Sequence, residues 1–254
     1  MQIKPYSPIG LLILLETMLL YACTADEWIS HPENDMVQLS AAITPLSGST
    51  RAHVGDKGNE SFQVDDKITL FVTPQGEFSS GTLGRTMRLT TEGWSPKLAW
   101  QEIAGEQVTF TAFYPEMSDC NSEIFTHTVA SDQRLTELFA KSDLLAASIE
   151  VGRGNAVSLN FRHWMSLIEL HLTSNTFTPE QLSEAVIHIQ ACPSVQIQTI
   201  PVPEVMQPVE TQVEDIIFHQ GEPNVYHVIL PPQLIQETWR RKWIEIELEG
   251  NTYV

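Results

Sequence analysis

The sequence predicts a mainly β protein made of antiparallel sheets. Three observations predict it. Five short segments alternate apolar and polar residues, the breaks between them are rich in Gly, Pro, Ser and Asn, and a single stretch has helical spacing. Alternation with a period of two places one face of each segment on a core, and turn clusters at short intervals are the pattern of a sandwich rather than of a helical bundle.

The first element is a leader. Residues 1–22 carry Lys4, an apolar run from Ile9 to Leu20, and then Leu20-Tyr21-Ala22-Cys23. A short charged start, an apolar middle and a small residue before a processing point define a signal peptide. The run is shorter than the roughly 20 apolar residues that span a bilayer of about 30 Å, so it is not expected to remain as a transmembrane helix. Leu20, Ala22 and Cys23 resemble a bacterial lipobox, which implies lipidation of Cys23 and anchoring of the mature chain by several acyl chains. Residues 23–35 then form an acidic tether. Its pair Asp26-Glu27 resembles a surface-export signal of Bacteroidetes lipoproteins and fits a solvated tail equally.

Beyond the tether, Met36, Val37, Leu39, Ala41 and Ile43 nearly alternate over 36–45. Ile68, Leu70 and Val72 predict a strand, as do Val108, Phe110, Ala112 and Tyr114; Val157, Leu159 and Phe161; Tyr226, Val228 and Leu230; and Ile244, Ile246 and Leu248. Clusters at Gly76 to Gly84, Gly152 to Asn155 and Ser174 to Pro179 read as turns. Leu135, Leu138, Phe139 and Leu144 or Leu145 fall at helical spacing, which predicts a connector helix over Gln133 to Ala147 with Ser131 or Asp132 as its N-cap. Prolines at 193, 201, 203 and 208 argue against a central strand and predict an extended edge or a long loop. A domain boundary is expected between Thr173 and Pro179, giving domains at 36–175 and 176–254.

Charge narrows the partners. The 32 acidic against 14 basic residues leave a net charge of −18, which is unchanged once Lys4 and Glu16 depart with the leader. Such a surface repels phosphate backbones and anionic headgroups, so nucleic acid is not an expected partner. A hydrophobic fraction of 42% over about 230 mature residues is enough for a substantial core. With Cys23 lipidated, Cys120 and Cys192 remain, either as one disulfide in an oxidising compartment or as two buried thiols.

No catalytic or metal constellation emerges. The eight histidines show no H-E-x-x-H or H-x-H spacing, and no metal or other cofactor is expected. His163 follows Phe161 on the same face and reads as a hydrogen-bonded core histidine. Asp65-Asp66 and Glu214-Asp215, read as neighbours on strands, would point to opposite faces and stay solvated. Gly81 to Gly84 lacks the strand-to-helix context of a phosphate loop, and no G-x-S-x-G elbow is present, which disfavours a hydrolase. Trp94, Trp100, Trp164, Trp239 and Trp243 are scattered as residues of the core and of strand edges would be; Trp239 and Trp243 are the candidate glycan contacts.

The order of motifs resembles the fimbrillin-like (Mfa-like) family of Bacteroidales surface proteins. The residues that carry the resemblance are Asp143-Leu144-Leu145-Ala146-Ala147, then Val157 to Trp164 with its Phe161-Arg162-His163 ending, then Leu167 to Leu170. Upstream, Thr50-Arg51-Ala52, Phe62 to Val72, Gly93-Trp94 and Phe110 to Pro115 agree in order; downstream, Tyr226 to Gln233 matches a strand followed by a Pro-Gln turn. The resemblance implies two β-sandwich domains of transthyretin-like type and a lipidated precursor exported to the outer membrane, cell surface or fimbrium. It also implies assembly with other fimbrial subunits by strand addition, in which 36–45 is the removable strand and cleavage falls between Arg51 and Ala52. Arg51 fits equally an exposed loop arginine that is never cut. Family members continue through further strands where this chain stops at Tyr253-Val254, so an incomplete second domain is expected. An adhesive fimbrial subunit is the first reading; the alternative is a non-polymerising surface lipoprotein that binds glycan or protein ligands.

Overall fold

The computed structural model describes residues 35–45, 61–74, 84–117, 124–199, 204–208, 213–234 and 243–254. The leader, Cys23, Arg51, Ala52, Cys120 and Trp239 lie outside these residues, as does most of the glycine-rich turn from Gly76. The protein is mainly β. In chain order the strands of the first half are β1 (Leu39–Ile43), β2 (Lys67–Pro74), β3 (Arg85–Thr90), β4 (Gly93–Ser95), β5 (Gln107–Tyr114), β6 (Ile124–Thr128), β7 (Leu145–Gly152) and β8 (Val157–His163). There follow β9 (Ser166–His171), β10 (Val186–Ala191), β11 (Ser194–Gln198), β12 (Glu204–Pro208), β13 (Glu214–Ile217), β14 (His219–Gln220), β15 (Val225–Leu230), β16 (Ile244–Leu248) and β17 (Asn251–Tyr253). All five alternating segments of the sequence are strands, each within a residue or two of its predicted place.

Among the described residues four sheets result, ordered β1-β8-β7-β5-β2-β3-β4, β13-β10-β16-β17, β12-β11-β6 and β14-β15-β9. The seven-stranded sheet curls until its ends meet: the Val37 N–H donates to the Leu98 carbonyl at 2.8 Å, and Met36 bridges Ala99. Inside the curl, Ile68, Leu70, Trp94, Trp100, Phe110, Leu159 and Phe161 form one core. A second core gathers Ile187, Ile197, Tyr226 and Val228 from the other three sheets with Phe218, between β13 and β14, and Phe139 from a short helix. The two central strands serve both. Ile68 and Leu70 of β2 and Phe110 and Ala112 of β5 face the first core, whereas Phe71 and Phe113 face the second. Covering both faces leaves no room for polar alternates unless they are bonded, and Thr69 and Thr111, both buried, meet Met117 N–H and the Ser148 hydroxyl at 2.8 and 3.0 Å. Strand β9 pairs with β15 across the whole intervening segment.

Three local expectations are corrected. The helix spans only Thr136–Ser142, because Asp143 is extended and Leu145 begins β7, an eight-residue ladder against β5. Pairing with β5 overrides helical spacing at Leu144 and Leu145. Its N-cap is Leu135 and has no side-chain cap bond; Asp132 is engaged with Arg134 instead. A second, one-turn helix, Pro179–Leu182, has the full capping box, with Thr178 and Gln181 exchanging bonds.

The proline-bearing stretch holds a central strand. Ser194–Gln198 lies between β12 and β6, since its prolines flank it and none falls inside. Only β12, ending in Pro208, is at the edge, where a missing N–H is tolerated. Finally, Asp65 and Asp66 form a turn before β2 rather than a strand. Asp65 has φ +83° and pairs with Arg88, while Asp66 accepts bonds from the Gln63 N–H at 2.6 Å and the Tyr114 hydroxyl at 3.1 Å. Glu214 and Asp215 are exposed at the start of β13.

Candidate functional site

The segment 36–45 forms the edge strand β1, and it runs parallel to β8 in a sheet whose other pairs are antiparallel. Its register matches Leu39 with Val157 and Ile43 with Phe161. Bonds outside the ladder extend the contact at both ends: the Val157 N–H donates to the Gln38 carbonyl at 2.9 Å, and the Thr44 N–H to the Phe161 carbonyl at 2.8 Å. Period-two alternation turns Val37, Leu39, Ala41 and Ile43 toward the first core, with Val37 and Ile43 buried and Leu39 and Ala41 partly so. Met36, also apolar, is exposed. Each of the two buried side chains contributes about 2 kcal/mol by leaving water. Arg51 and Ala52 lie in the connection between β1 and β2, so a break there would leave β1 held by these contacts alone.

The acidic-Leu-Leu-small element and the Phe-basic-His ending are brought together. Nδ1 of His163 lies 2.8 Å from an Asp143 carboxylate oxygen, with the two side chains 4% and 3% exposed. Asp143 sits between the helix and β7, and His163 ends β8, so the pair ties the two ends of the β7–β8 hairpin. His163 is thus the hydrogen-bonded core histidine expected of it. Among the described residues no group of three or more His, Cys, Asp or Glu could hold a metal.

Two glutamines act as substitutes for strand partners. The Gln133 side chain, fully buried, accepts the Ile229 N–H at 2.9 Å and donates to the Ile229 carbonyl at 2.8 Å, closing the edge of β15 beyond the two-residue β14. Gln233, in the Pro-Gln turn, does the same for Cys192, accepting its N–H at 2.8 Å and donating to its carbonyl at 3.1 Å. Such single-residue closures carry no sequence periodicity; only the Gln after Pro231-Pro232 was marked by its motif.

Trp243 packs partly buried against the second core, and its carbonyl accepts the Gln190 N–H at 3.0 Å. It lines a small apolar cavity of about 150 Å³ with Ile168, Ala191 and Leu230. A more polar cleft of about 360 Å³ lies where β7 and β8 part, lined by Ser148, Ser158, Asn160, Arg162 and Trp164 over Ala146 and Ala147. Trp164, expected in the core or at a strand edge, packs partly against the second core and also lines this cleft, and its spacing with Asn160 and Arg162 is the signal in the sequence.

A sequence model described as fimbrillin-like matches residues 50–254, beginning just after β1. No curated protein matches the chain. Among solved structures, a candidate cell adhesion protein from Bacteroides ovatus is similar with a TM-score of 0.60 at 17% identity, covering 86% of this chain and 84% of that one. Another from Bacteroides uniformis has a TM-score of 0.60 at 15% identity, with the same coverage of 86% and 84%. At these identities the likeness is one of fold. The family match, spanning most of the described sequence, establishes that this chain belongs to the fimbrillin-like family.

Proposed function

We propose that the protein is a cell-surface fimbrial subunit, structural or accessory, that acts in adhesion and not in catalysis. In this reading Cys23 carries the lipid anchor at the outer membrane. The body is two sandwich domains, 36–175 and 176–254, that lend each other strands, and subunits join by strand addition. Trp239 and Trp243 remain candidate glycan contacts.

The observation that carries the reading is the pairing of β1. It is an edge strand, it is parallel to its one neighbour, and its apolar side chains plug a core whose other walls come from later in the chain. While the chain is intact, the connection to β2 keeps β1 at a high effective concentration; a cut after Arg51 removes that advantage. An antiparallel strand from an incoming subunit would then compete well, since parallel pairing is slightly the weaker per residue and the same pockets are filled by alternate side chains. Each subunit added in this way would be joined by backbone bonds and apolar anchors together.

Mass spectrometry of protein shed from intact cells tests this, combined with unheated SDS gels. The expected result is a mature end at Ala52 and a ladder of multimers that collapses in an Arg51→Ala variant. A shed protein beginning at Cys23 that runs only as a monomer would overturn it.

A further inference from the structure

We infer that the outer face of β8 is a binding site for an acidic saccharide, one carrying a carboxylate on its sugar ring. The inference stands apart from strand addition, whose apolar anchors enter the core on the opposite side of the same strand; Ser40 of β1 reaches this face, meeting Ser158. Alternation sends Val157, Leu159 and Phe161 into the core and leaves Ser158, Asn160 and Arg162 outside, with Trp164 next in the series. Beside them β7 pairs with β8 only at Leu145 and Ala146 before the two strands part. Because the neighbours at 146, 147 and 148 are Ala, Ala and Ser, the parting leaves an open cleft of about 360 Å³, at the lower end of the range for small-ligand sites and suited to one or two sugar rings.

Ser148 and Ser158 in this cleft are bonded to the Thr111 and Ser40 hydroxyls at 3.0 and 3.1 Å, and three other polar groups are unspent. Of the described Lys and Arg residues, Lys67, Arg85, Arg88, Arg134 and Lys141 are ion-paired, and Lys97 and Arg153 donate to the carbonyls of Glu92 and Ile103. Arg162 alone among the described residues has neither kind of partner, in a chain where 32 acidic residues outnumber 14 basic ones. The Asn160 amide and the Trp164 indole N–H also have no hydrogen-bond partner among the described residues. The indole itself is held firmly: Phe113 meets it edge-to-face at 5.9 Å, and the Trp164 backbone N–H donates to the Leu144 carbonyl at 2.8 Å.

These three groups match one ligand chemistry. A guanidinium fork binds a carboxylate through two parallel bonds. An amide offers both a donor and an acceptor to vicinal hydroxyls, and an anchored indole presents an apolar face to sugar C–H groups with an N–H at its rim. Phosphate-rich polyanions are disfavoured, because the net charge of −18 repels a chain of charges more than it repels one carboxylate held at Arg162.

Isothermal titration of the full-length protein tests the site with trigalacturonate and 3′-sialyllactose as acidic probes and maltotriose and lactose as neutral ones. At least one acidic probe is expected to bind, Arg162→Gln to weaken it about tenfold or more, and Asn160→Ala to weaken it by a smaller factor. Both side chains are exposed, so thermal melts should be unchanged. Trp164→Phe, which keeps the packing on Phe113, should also weaken binding. Failure of both acidic probes to bind, equal binding of neutral sugars, or undiminished binding in Arg162→Gln would each overturn the inference, as would a preference for a peptide ending in a free carboxylate.

Discussion

The carboxylate of Asp143 and the imidazole of His163, 20 positions apart in sequence, meet at 2.8 Å beneath the base of the β7–β8 hairpin. Neither strand end has another charge-bearing residue so well buried, and the pair holds the parallel partner of β1 in place. Removing the carboxylate strands a buried ring nitrogen. Asp143→Ala is therefore expected to lower stability by about 1–3 kcal/mol in urea unfolding. In a double-mutant cycle with His163→Ala the losses should be less than additive.

Gln133 offers a second, independent test. Its amide makes both bonds to Ile229 and a third to the Ala130 carbonyl at 3.2 Å, all inside the second core. Gln133→Ala leaves two backbone groups of β15 buried without partners, at a cost of about 2–4 kcal/mol. Thermal unfolding measures it, and hydrogen exchange should rise first at Ile229.

Acid should weaken the protein through His127. Burial lowers its pKa, outweighing the opposing bond to the Ser142 carbonyl at 3.0 Å. In the unfolded chain the ring takes up a proton near pH 6.5, whereas in the folded chain it does so only at lower pH. Stability from this residue is thus fully present above pH 6.5 and is lost as pH falls through the depressed folded value. Wild-type protein should lose more stability than His127→Gln between pH 7.5 and 5.5, measured by urea unfolding at each pH.

The docking of β1 can be broken at one methyl group. Ala41 faces the first core opposite Leu159, so Ala41→Asp forces a carboxylate against Leu159 and its neighbours and should cost about 2–4 kcal/mol of β1 binding. Amide exchange at Val157 to Phe161 should accelerate while Gln133 to Ser142 is unchanged. A synthetic 36–45 peptide added to protein cut after Arg51 should restore protection there, and a scrambled one should not.

Much of this architecture was legible before any coordinates. Ile68, Leu70 and Val72, or Val157, Leu159 and Phe161, announce strands because side chains on a pleated backbone alternate, and burying one face demands apolar residues at every second position. The same rule did not reveal that β2 and β5 have two buried faces, since Phe71 and Thr69 look like ordinary alternates until a second core covers them. Helical spacing extends the helix through Leu144 and Leu145 for a related reason: an apolar pair at a helix end and an apolar start to a buried strand are the same letters. Trp164 is expected in the core or at a strand edge; one side of it packs on Phe113, and the other lines a cleft that exists only because β7 and β8 separate.

By itself, then, the sequence determined the main strand segments, one buried face of each, some of the turns between them, and the order of motifs that marks the family. Only the tertiary structure decided who pairs with whom: β1 with β8 and in parallel, Gln133 with Ile229, Asp143 with His163. The physical reason is that periodicity encodes a side chain's direction, while every residue's N–H and C=O are alike. The choice of neighbour therefore depends on how whole faces pack, and that is settled when distant parts of the chain meet.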